Sequence, residues 1–417
     1  MNKIFSTIFL ITFSTVTFAQ DRFPKPDFES GYDYPERHYI VPNEALWSYI
    51  DIAMLVLLMS FVAWAVIKKQ VRWPVILTSV ISVAYFGFFR YGCVCSIGAV
   101  QNVALALTSD SYTIPLYVLL IFILPIVFAL FFGRVFCAGV CPFGALQELV
   151  NVENYRLSKT VTAVLGIFPW IYLGFAVLFA VTNSRFIICR FDPFVGIFRL
   201  GGEFPLLVFG VILLVFSIFI GRPFCRFICP YGAILSLFSR ISFWRVKITK
   251  KECINCQLCH NACPMDAIRP PYENKVKESR AKGVRRILIY ILVLPVMMLA
   301  GSFMMLLMSD LFSRVNKDVR LYEMIRENEK NPQEIQNIDV QTFYMQGGEI
   351  EDLGQRVMVI KILFDNYSIA IGAFLGLVIG LTLIGLSTKR TRKFYEIDDA
   401  DCVSCGRCFK YCPQNQL

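Results

Sequence analysis

Eight of the fifteen cysteines fall into two runs that share one spacing. The first run reads CINCQLCHNACP from Cys253, and the second reads CVSCGRCFKYCP from Cys402. Both follow C-x2-C-x2-C-x3-C-P, a spacing with which thiolates hold [4Fe–4S] clusters. Zinc also binds four thiolates, but zinc sites favour paired C-x2-C knuckles, and disulfides need an oxidising compartment. The spacing therefore predicts iron–sulfur chemistry.

The order of the cysteines within each run also predicts which of them share a cluster. In folds with two clusters, the first three cysteines of a run bind one cluster and the fourth binds the other. We expect the first cluster to be held by Cys253, Cys256, Cys259 and Cys412. We expect the second cluster to be held by Cys402, Cys405, Cys408 and Cys263.

A second pattern occurs twice, as GRVFCAGVCPFGALQ (133–147) and GRPFCRFICPYGAIL (221–235). Each copy closes an apolar run and sets two cysteines four positions apart, which places them on one face of a helix. Proline after the second cysteine then breaks the helix at that thiol. The four thiols could surround a [2Fe–2S] or [4Fe–4S] centre at the inner face of the bundle, or they could be small buried apolar side chains. They are Cys137, Cys141, Cys225 and Cys229.

The three remaining cysteines lie in YGCVCSIGAVQ and IICRFDPFVG, at the external ends of the two repeats. An electron needs stepping stones to cross the roughly 30 Å hydrocarbon core of a bilayer, which favours an outer metal centre with a further ligand. A disulfide between Cys189 and one of the other two would also suit an oxidising external space, and inert thiols are the third alternative. These cysteines are Cys93, Cys95 and Cys189.

The composition is typical of a membrane protein. Of the 417 residues, 56% are hydrophobic and 17% are charged, and the mean hydropathy is +0.57. A helix needs about 20 apolar residues to span a bilayer. We predict seven spanning helices, near residues 48–67, 73–90, 113–133, 161–181, 204–220, 286–308 and 367–386.

The distribution of charge predicts the topology. Residues 1–20 favour a secretory signal peptide, with an uncleaved anchor as the alternative, and either version places the following segment outside. The clusters of Lys and Arg then fall on the cytoplasmic side, as the positive-inside rule requires. We expect a bacterial inner-membrane protein with a periplasmic N-terminus and a cytoplasmic C-terminus. This orientation explains the net charge of +10 without a nucleic-acid partner.

The predicted fold is mainly α: a polytopic membrane helix bundle with two pseudo-symmetric helix-pair repeats. A small cytoplasmic ferredoxin-like α+β domain with two clusters is assembled from two distant segments. The expected divisions are a signal peptide (1–20), an external segment (21–47), the membrane domain with both repeats (48–240), the first cysteine-run segment (241–284), a helix (285–308), an external loop (309–366), a helix (367–387) and the second cysteine-run segment (388–417).

These motifs resemble those of the NosR/NapH-type membrane polyferredoxins. The similarity covers roughly residues 75–265 and 366–417, and it depends on the two FC-x3-CP stretches and the two cysteine runs. The resemblance implies a membrane electron-transfer protein that works with quinol, flavin or periplasmic redox partners. NosR-like proteins carry an external domain with covalent flavin, but this chain has no Ser-Gly-Ala-Thr-like attachment stretch. We therefore expect flavin on a separate periplasmic flavoprotein.

Three functions are compatible with these patterns. The first is an iron–sulfur protein that relays single electrons between an external partner and [4Fe–4S] clusters at the cytoplasmic face. The alternatives are a metal-handling or maturation protein and a redox sensor, each accessory to a respiratory reductase or oxidase. Only two histidines occur, and neither lies in an apolar run, which excludes bis-histidine haem within the membrane. No catalytic residues or substrate pocket are recognisable in the sequence.

Overall fold

The computed structural model describes residues 45–92, 94–109, 112–199, 203–248, 253–272, 279–330, 338–388 and 391–415. The predicted signal peptide, most of the predicted external segment at 21–47, and Cys93 lie outside the described residues. The described chain is mainly helical and contains one two-stranded sheet.

Within the described residues, twelve α-helices precede the first cysteine run, and three short π-helical segments, Trp64–Lys68, Val83–Phe89 and Phe136–Val140, lie among them. The α-helices are α1 (Ala45–Ala63), α2 (Trp73–Ser82), α3 (Ser96–Ala106), α4 (Leu116–Phe132), α5 (Pro142–Val150), α6 (Lys159–Leu165), α7 (Phe168–Val181), α8 (Ile187–Arg190), α9 (Pro193–Arg199), α10 (Phe204–Phe219), α11 (Pro223–Phe227) and α12 (Pro230–Ser239). The later elements are α13 (Leu258–Ala262), β1 (Ile268–Arg269), α14 (Arg280–Leu307), α15 (Ser309–Ser313), α16 (Lys317–Lys330), α17 (Ile338–Met345), α18 (Ile350–Ser387), β2 (Glu396–Ile397) and α19 (Arg407–Lys410).

Four helical segments are long and apolar enough to cross a bilayer, whereas three of the seven predicted runs form shorter helices. Among the short ones, α4 has 17 residues and α10 has 16. At 1.5 Å per residue they reach only about 25 Å, less than the ~30 Å of hydrocarbon. Each is followed within two residues by a Gly-Arg pair, so the cysteine-bearing turns begin directly after these short helices. The four long segments are Leu46–Lys68, Lys159–Val181, Ala281–Leu307 and Ile350–Ser387.

The last long helix, α18, has 38 residues and begins 17 residues before the predicted start at 367. Its first part lies in the segment predicted as an external loop. There Leu353 and Val357 share an apolar cluster with Val319 and Ile325 of α16. Charged residues interrupt the apolar pattern of this part, so hydropathy alone does not reveal that the helix continues.

Helices α14 and α18 approach each other closely at glycines. A Cβ built on Gly376 would overlap the carbonyl oxygen of Met297 and lie 2.7 Å from its carbonyl carbon. A Cβ on Gly372 would lie 2.7 Å from the carbonyl carbon of Gly301. Helix association in lipid depends on such close packing, because the hydrophobic effect does not drive it there.

Replacing Gly376 with alanine is therefore expected to push α14 and α18 apart. Overpacked sites of this kind cost about 1–3 kcal/mol, so the thermal midpoint of the purified protein should fall. Gly385→Ala is the matched control, since it lies on the same helix and a Cβ there meets no atom within 4 Å. Scanning fluorimetry in detergent measures both variants. Equal midpoints would contradict the close helix contact.

The two cysteine runs belong to one small unit, the cysteine module (residues 253–272 and 391–415). Strands β1 and β2 pair antiparallel, with Ile268 opposite Ile397 and Arg269 opposite Glu396. The chain between these strands contains helices α14 to α18. The module is thus built from two segments that are distant in sequence. Each cysteine run includes one short helix, α13 in the first and α19 in the second.

Candidate iron–sulfur centres

Twelve of the described cysteines line three cavities, four to each, and Cys408 also borders a second one. We name them by their cysteines: the membrane-side cavity (Cys137, Cys141, Cys225 and Cys229), the middle cavity (Cys263, Cys402, Cys405 and Cys408) and the terminal cavity (Cys253, Cys256, Cys259 and Cys412). The cysteines around the first cavity are buried and those around the second are half-buried, whereas the third includes an exposed cysteine, Cys256. All cysteines of the described chain are free thiols.

The middle cavity joins both segments of the cysteine module. The positive φ values of Ser404 and Gly406, 53° and 71°, curl the second run around the cavity. The backbone N–H of Ala267 donates a hydrogen bond to one of the thiols, Cys263 Sγ, at 3.3 Å. These contacts bring together the four cysteines that the spacing predicts to share a cluster, namely Cys263, Cys402, Cys405 and Cys408.

The terminal cavity has the same local geometry in the first run. Asn255 and Gln257 have φ values of 55° and 67°, so the chain curls as it does in the second run. Cys408 borders this cavity as well as the middle one, so the two share a wall. The cavity is lined by the other predicted ligand set, Cys253, Cys256, Cys259 and Cys412.

The membrane-side cavity lies between the two repeated stretches. Its thiols come from a π-helical turn, Phe136–Val140, from α11, and from the residues that cap α5 and α12. Gln147 Nε2 donates to one sulfur at 3.5 Å, and the N–H of Gly232 donates to another at 3.3 Å. The four thiols are between 7% and 9% exposed. They are Cys137, Cys141, Cys225 and Cys229.

Helix α2 gives the depth of this cavity relative to the cysteine module. At its start, Arg72 lies against Gly406 of the module, whose built Cβ would lie 3.5 Å from the Arg72 Cα. Further along, Ser82 donates a hydrogen bond to the carbonyl of Val140, next to the cavity. Ser82 lies nine residues from Trp73, which is about 13 Å at 1.5 Å per residue. The residue at the start of α2 that contacts the cysteine module and the residue that contacts the turn beside the membrane-side cavity are thus about 13 Å apart along the helix.

The membrane-side cavity fits an anionic group. Arg134 lines it and is only 4% exposed. Its Nη1 donates to the carbonyl of Ala400 at 3.0 Å, but its Nε has no hydrogen-bond partner in the described structure. A buried donor without a partner is costly. A cluster held by four thiolates carries negative charge beside this guanidinium and would offset that cost.

Burial favours the protonated form of three of the thiols that line the middle cavity. Burial raises the pKa of Cys263 to about 11 and also raises the pKa of Cys402 and Cys408. A thiol must lose its proton to bind iron, so metal binding at this site releases protons.

The outer cysteines meet at Gly98. A Cβ built there would lie 3.1 Å from Cys189 Sγ and 4.0 Å from Cys95 Sγ. The preceding residue, Ile97, lines the membrane-side cavity. The two outer thiols are thus separated from that cavity by one turn of α3. The third predicted member of this group, Cys93, lies outside the described residues.

A buried charge cluster connects the membrane-side and middle cavities. Glu148 Oε1 accepts from Arg72 Nη2 and Arg407 Nε at 2.8 Å each, and Glu148 Oε2 accepts from Arg222 Nε at 3.0 Å. We name these four residues the Glu148 cluster. Burial alone would raise the pKa of Glu148, but the three guanidiniums outweigh it and hold the pKa below its usual range.

Sequence reasoning missed the Glu148 cluster. One signal was available, because Glu148 is the one acid in the apolar stretch PFGALQELV that follows Cys141. Another was Arg222, which the repeated Gly-Arg pair singles out. Arg222 is fully buried and has a left-handed φ of 49°, a costly conformation that surrounding contacts must maintain.

Comparison with known proteins agrees with the cysteine patterns. Residues 114–159 and 203–252 match a family described as "4Fe-4S binding domain". Residues 246–269 and 395–417 match a second family with the same description. The first match contains both repeated cysteine pairs, and the second contains both cysteine runs.

Individual proteins are also similar to parts of this chain. The uncharacterized protein MJ0750 of Methanocaldococcus jannaschii is 30% identical over 190 residues, 43% of this chain. The regulatory protein NosR of Stutzerimonas stutzeri is 35% identical over 156 residues, 34% of this chain. The putative electron transport protein YccM of Escherichia coli K12 is 28% identical over 156 residues, 33% of this chain.

The matched region spans 77% of MJ0750, but only 43% of YccM and 21% of NosR. This chain thus corresponds to less than half of the latter two proteins. No solved structure matches it. The coverage of MJ0750, the two matched cluster-binding families and the apolar helices agree with one another. The chain belongs to the NosR-type family of 4Fe-4S-binding membrane proteins.

Proposed function

We propose that the protein relays single electrons across the bilayer through three iron–sulfur centres in series. Each cluster, when bound, accepts one electron and returns it. The middle and terminal cavities hold one [4Fe–4S] cluster each, with the crossed ligand sets given above. The membrane-side cavity holds a third centre, of [2Fe–2S] or [4Fe–4S] type, on Cys137, Cys141, Cys225 and Cys229.

The observation that carries this proposal is the continuity of the three cysteine-lined cavities. Cys408 borders both cavities of the module. Arg407 lines the middle cavity and bonds Glu148, which in turn bonds Arg222. Arg222 donates to the carbonyls of Cys137 and Ala138 beside the membrane-side cavity. A shared cysteine thus connects the terminal and middle cavities, and a continuous chain of hydrogen bonds connects the middle and membrane-side cavities, which supports transfer in steps.

The reciprocal packing of the two repeats supports the pseudo-twofold arrangement. A Cβ built on Gly144 of the first repeat would lie 3.7 Å from Arg222 Nη1 of the second. A Cβ on Gly232 of the second would lie 3.3 Å from Arg134 Nη2 of the first. Each glycine therefore leaves space for the arginine of the other repeat. This packing accompanies the position of both cysteine pairs in the walls of one cavity.

The external end of the relay is Cys95 and Cys189, together with Cys93. We propose that a periplasmic redox protein, a flavoprotein by resemblance to the NosR type, exchanges electrons there, with quinone as a further candidate partner. The adjacency of Gly98 to both thiols supports this assignment, as does the position of Ile97 in the wall of the membrane-side cavity.

The other end is the terminal cavity, at the cytoplasmic side of a bacterial inner membrane. Its Cys256 is exposed, so a soluble partner can approach the cluster closely there. The side chains of Ile254 and Leu258 beside it are 59% and 45% exposed and offer apolar contact to such a partner.

Electron transfer across sealed vesicles tests this function. The purified protein is placed in lipid vesicles that contain ferricyanide, and titanium(III) citrate, which does not cross lipid, is added outside. We expect the trapped ferricyanide to lose its absorbance at a rate proportional to the protein per vesicle. Vesicles without protein are the control. Clusters that bleach while the ferricyanide persists would contradict a relay across the membrane.

A further inference from the structure

We propose that the Glu148 cluster raises the midpoint potentials of the membrane-side and middle centres together. Its charges act on both centres because it lies between them. This inference rests on the proposed function, because it assigns a role to residues around two of the three proposed clusters.

The geometry shows a cluster that is closely bonded and almost completely enclosed. The side chains of Arg222, Glu148, Arg407 and Arg72 are 0%, 4%, 7% and 13% exposed. They come from four separate parts of the chain: one is within the second repeated stretch, one directly follows the first, one precedes α2 and one is in the second cysteine run. Arg407 also donates to the carbonyl of Asn151 at 3.4 Å, and Arg222 donates to that of Ala138 at 2.6 Å.

The charges of the cluster do not balance. Three guanidiniums against one carboxylate leave a net charge of +2 in a region screened from water. Buried like charges are costly unless anions lie near them. Four thiolates that hold iron supply such an anion on either side. Arg407 lines the middle cavity, and Arg222 contacts the backbone of Cys137, one of the membrane-side thiols.

The neighbour of Glu148 extends the connection to a sulfur atom. Gln147 Nε2 donates to Cys225 Sγ at 3.5 Å, and its Oε1 accepts from the N–H of Phe224 at 3.0 Å. Helix α5 therefore carries Glu148 and a direct hydrogen bond to a membrane-side thiol on adjacent residues. Cluster potentials depend on net charge and on hydrogen bonds to sulfur, and α5 supplies both.

The sign of the effect follows from the charge that reduction adds. A reduced cluster is one unit more negative than an oxidised one, so nearby positive charge stabilises the reduced form and raises the potential. Coulomb interactions are weakly screened in a buried region. Removing an arginine from the cluster must therefore lower both potentials, and removing the carboxylate must raise them.

Redox titration monitored by EPR tests this on the purified, cluster-loaded protein. Arg72→Gln removes one positive charge and leaves Glu148 with two partners, so we expect both potentials to fall. Arg72→Lys keeps the charge and should retain most of the wild-type values. Glu148→Gln should shift both potentials in the opposite direction. The terminal centre, whose cavity is lined by none of the four residues of the Glu148 cluster, should shift least in every variant.

Arg90→Gln is the matched control. Arg90 follows the π-helical segment Val83–Phe89 that continues α2, its side chain is 12% exposed, and it bonds the carboxylate of Asp51 at 2.7 Å. The same loss of charge there should leave the midpoint potential of the middle centre unchanged.

If the Glu148 cluster only holds the structure together, Arg72→Gln and Glu148→Gln would both lower the stability of the protein, but they would not shift the midpoint potentials in opposite directions. If the EPR signals of all three centres are present and neither variant shifts their midpoint potentials, this inference is wrong but the proposed function still stands. If the wild type lacks the membrane-side signal, the proposed function fails first.

Discussion

Replacing Cys137 and Cys225 together with alanine is expected to stop electron transfer across the bilayer. Each repeat then keeps one thiol at the membrane-side cavity, and two thiolates do not hold a cluster that needs four. We expect the iron content to fall by about two to four atoms per chain, according to cluster type. Reduction of trapped ferricyanide should fall to the level of vesicles without protein.

The same variant should keep both clusters of the cysteine module, because none of their ligands is changed. Its EPR spectrum should therefore lose only the membrane-side signal. Ser96→Ala is the matched control, since Ser96 is 2% exposed and its hydroxyl bonds the carbonyl of Ile121 in the same bundle. An unchanged iron content with wild-type transfer in the double variant would show that these cysteines are structural.

Replacing Gly221 with alanine is expected to separate the cysteine module from the helix bundle. A Cβ at Gly221 would overlap the carbonyl oxygen of Pro264 and lie 2.6 Å from its Cα. The obstacle is backbone rather than a flexible side chain, so one of the two segments must move. We expect a loss of about 3 kcal/mol or more in stability, at the upper end for overpacked sites. Pro264 follows Cys263, so the middle cluster moves with it.

The Gly221→Ala variant should therefore retain its clusters but transfer electrons slowly between the membrane-side and middle centres. Freeze-quenched EPR after rapid reduction measures that step separately from cluster content. Gly283→Ala is the control, because a Cβ there meets no atom within 4 Å. A transfer rate equal to that of the control would show that the contact with Pro264 does not determine the separation of the centres.

The grouping of the module cysteines could be read from spacing alone. A Cys-Pro turn after three closely spaced cysteines leaves the fourth thiol to face the other run, and the structure groups Cys263 and Cys412 with the opposite runs accordingly. The repeated Gly-Arg-x-Phe-Cys stretch likewise indicated four thiols in one place. Local patterns were sufficient here because each motif carries its own backbone geometry.

The Glu148 cluster could not be found in the same way. Arg72, Arg222 and Arg407 are far apart in sequence, and Arg72 is part of a basic segment that the positive-inside rule already explained. The proximity of Cys189 to Gly98 also depends on tertiary packing alone. The length of helix α18 was underestimated because charged residues interrupt the apolar pattern of its first part, which packs against α16. Hydropathy reports contact with lipid and says little about contact between protein segments.

The most direct measurement of the central claim is the iron and acid-labile sulfide content of the anaerobically purified wild-type protein. Two [4Fe–4S] clusters alone give about eight iron atoms per chain. Three centres in series predict about ten to twelve iron atoms, with a matching amount of sulfide. A content of eight, or zinc in place of iron, would contradict a relay that passes through the helix bundle.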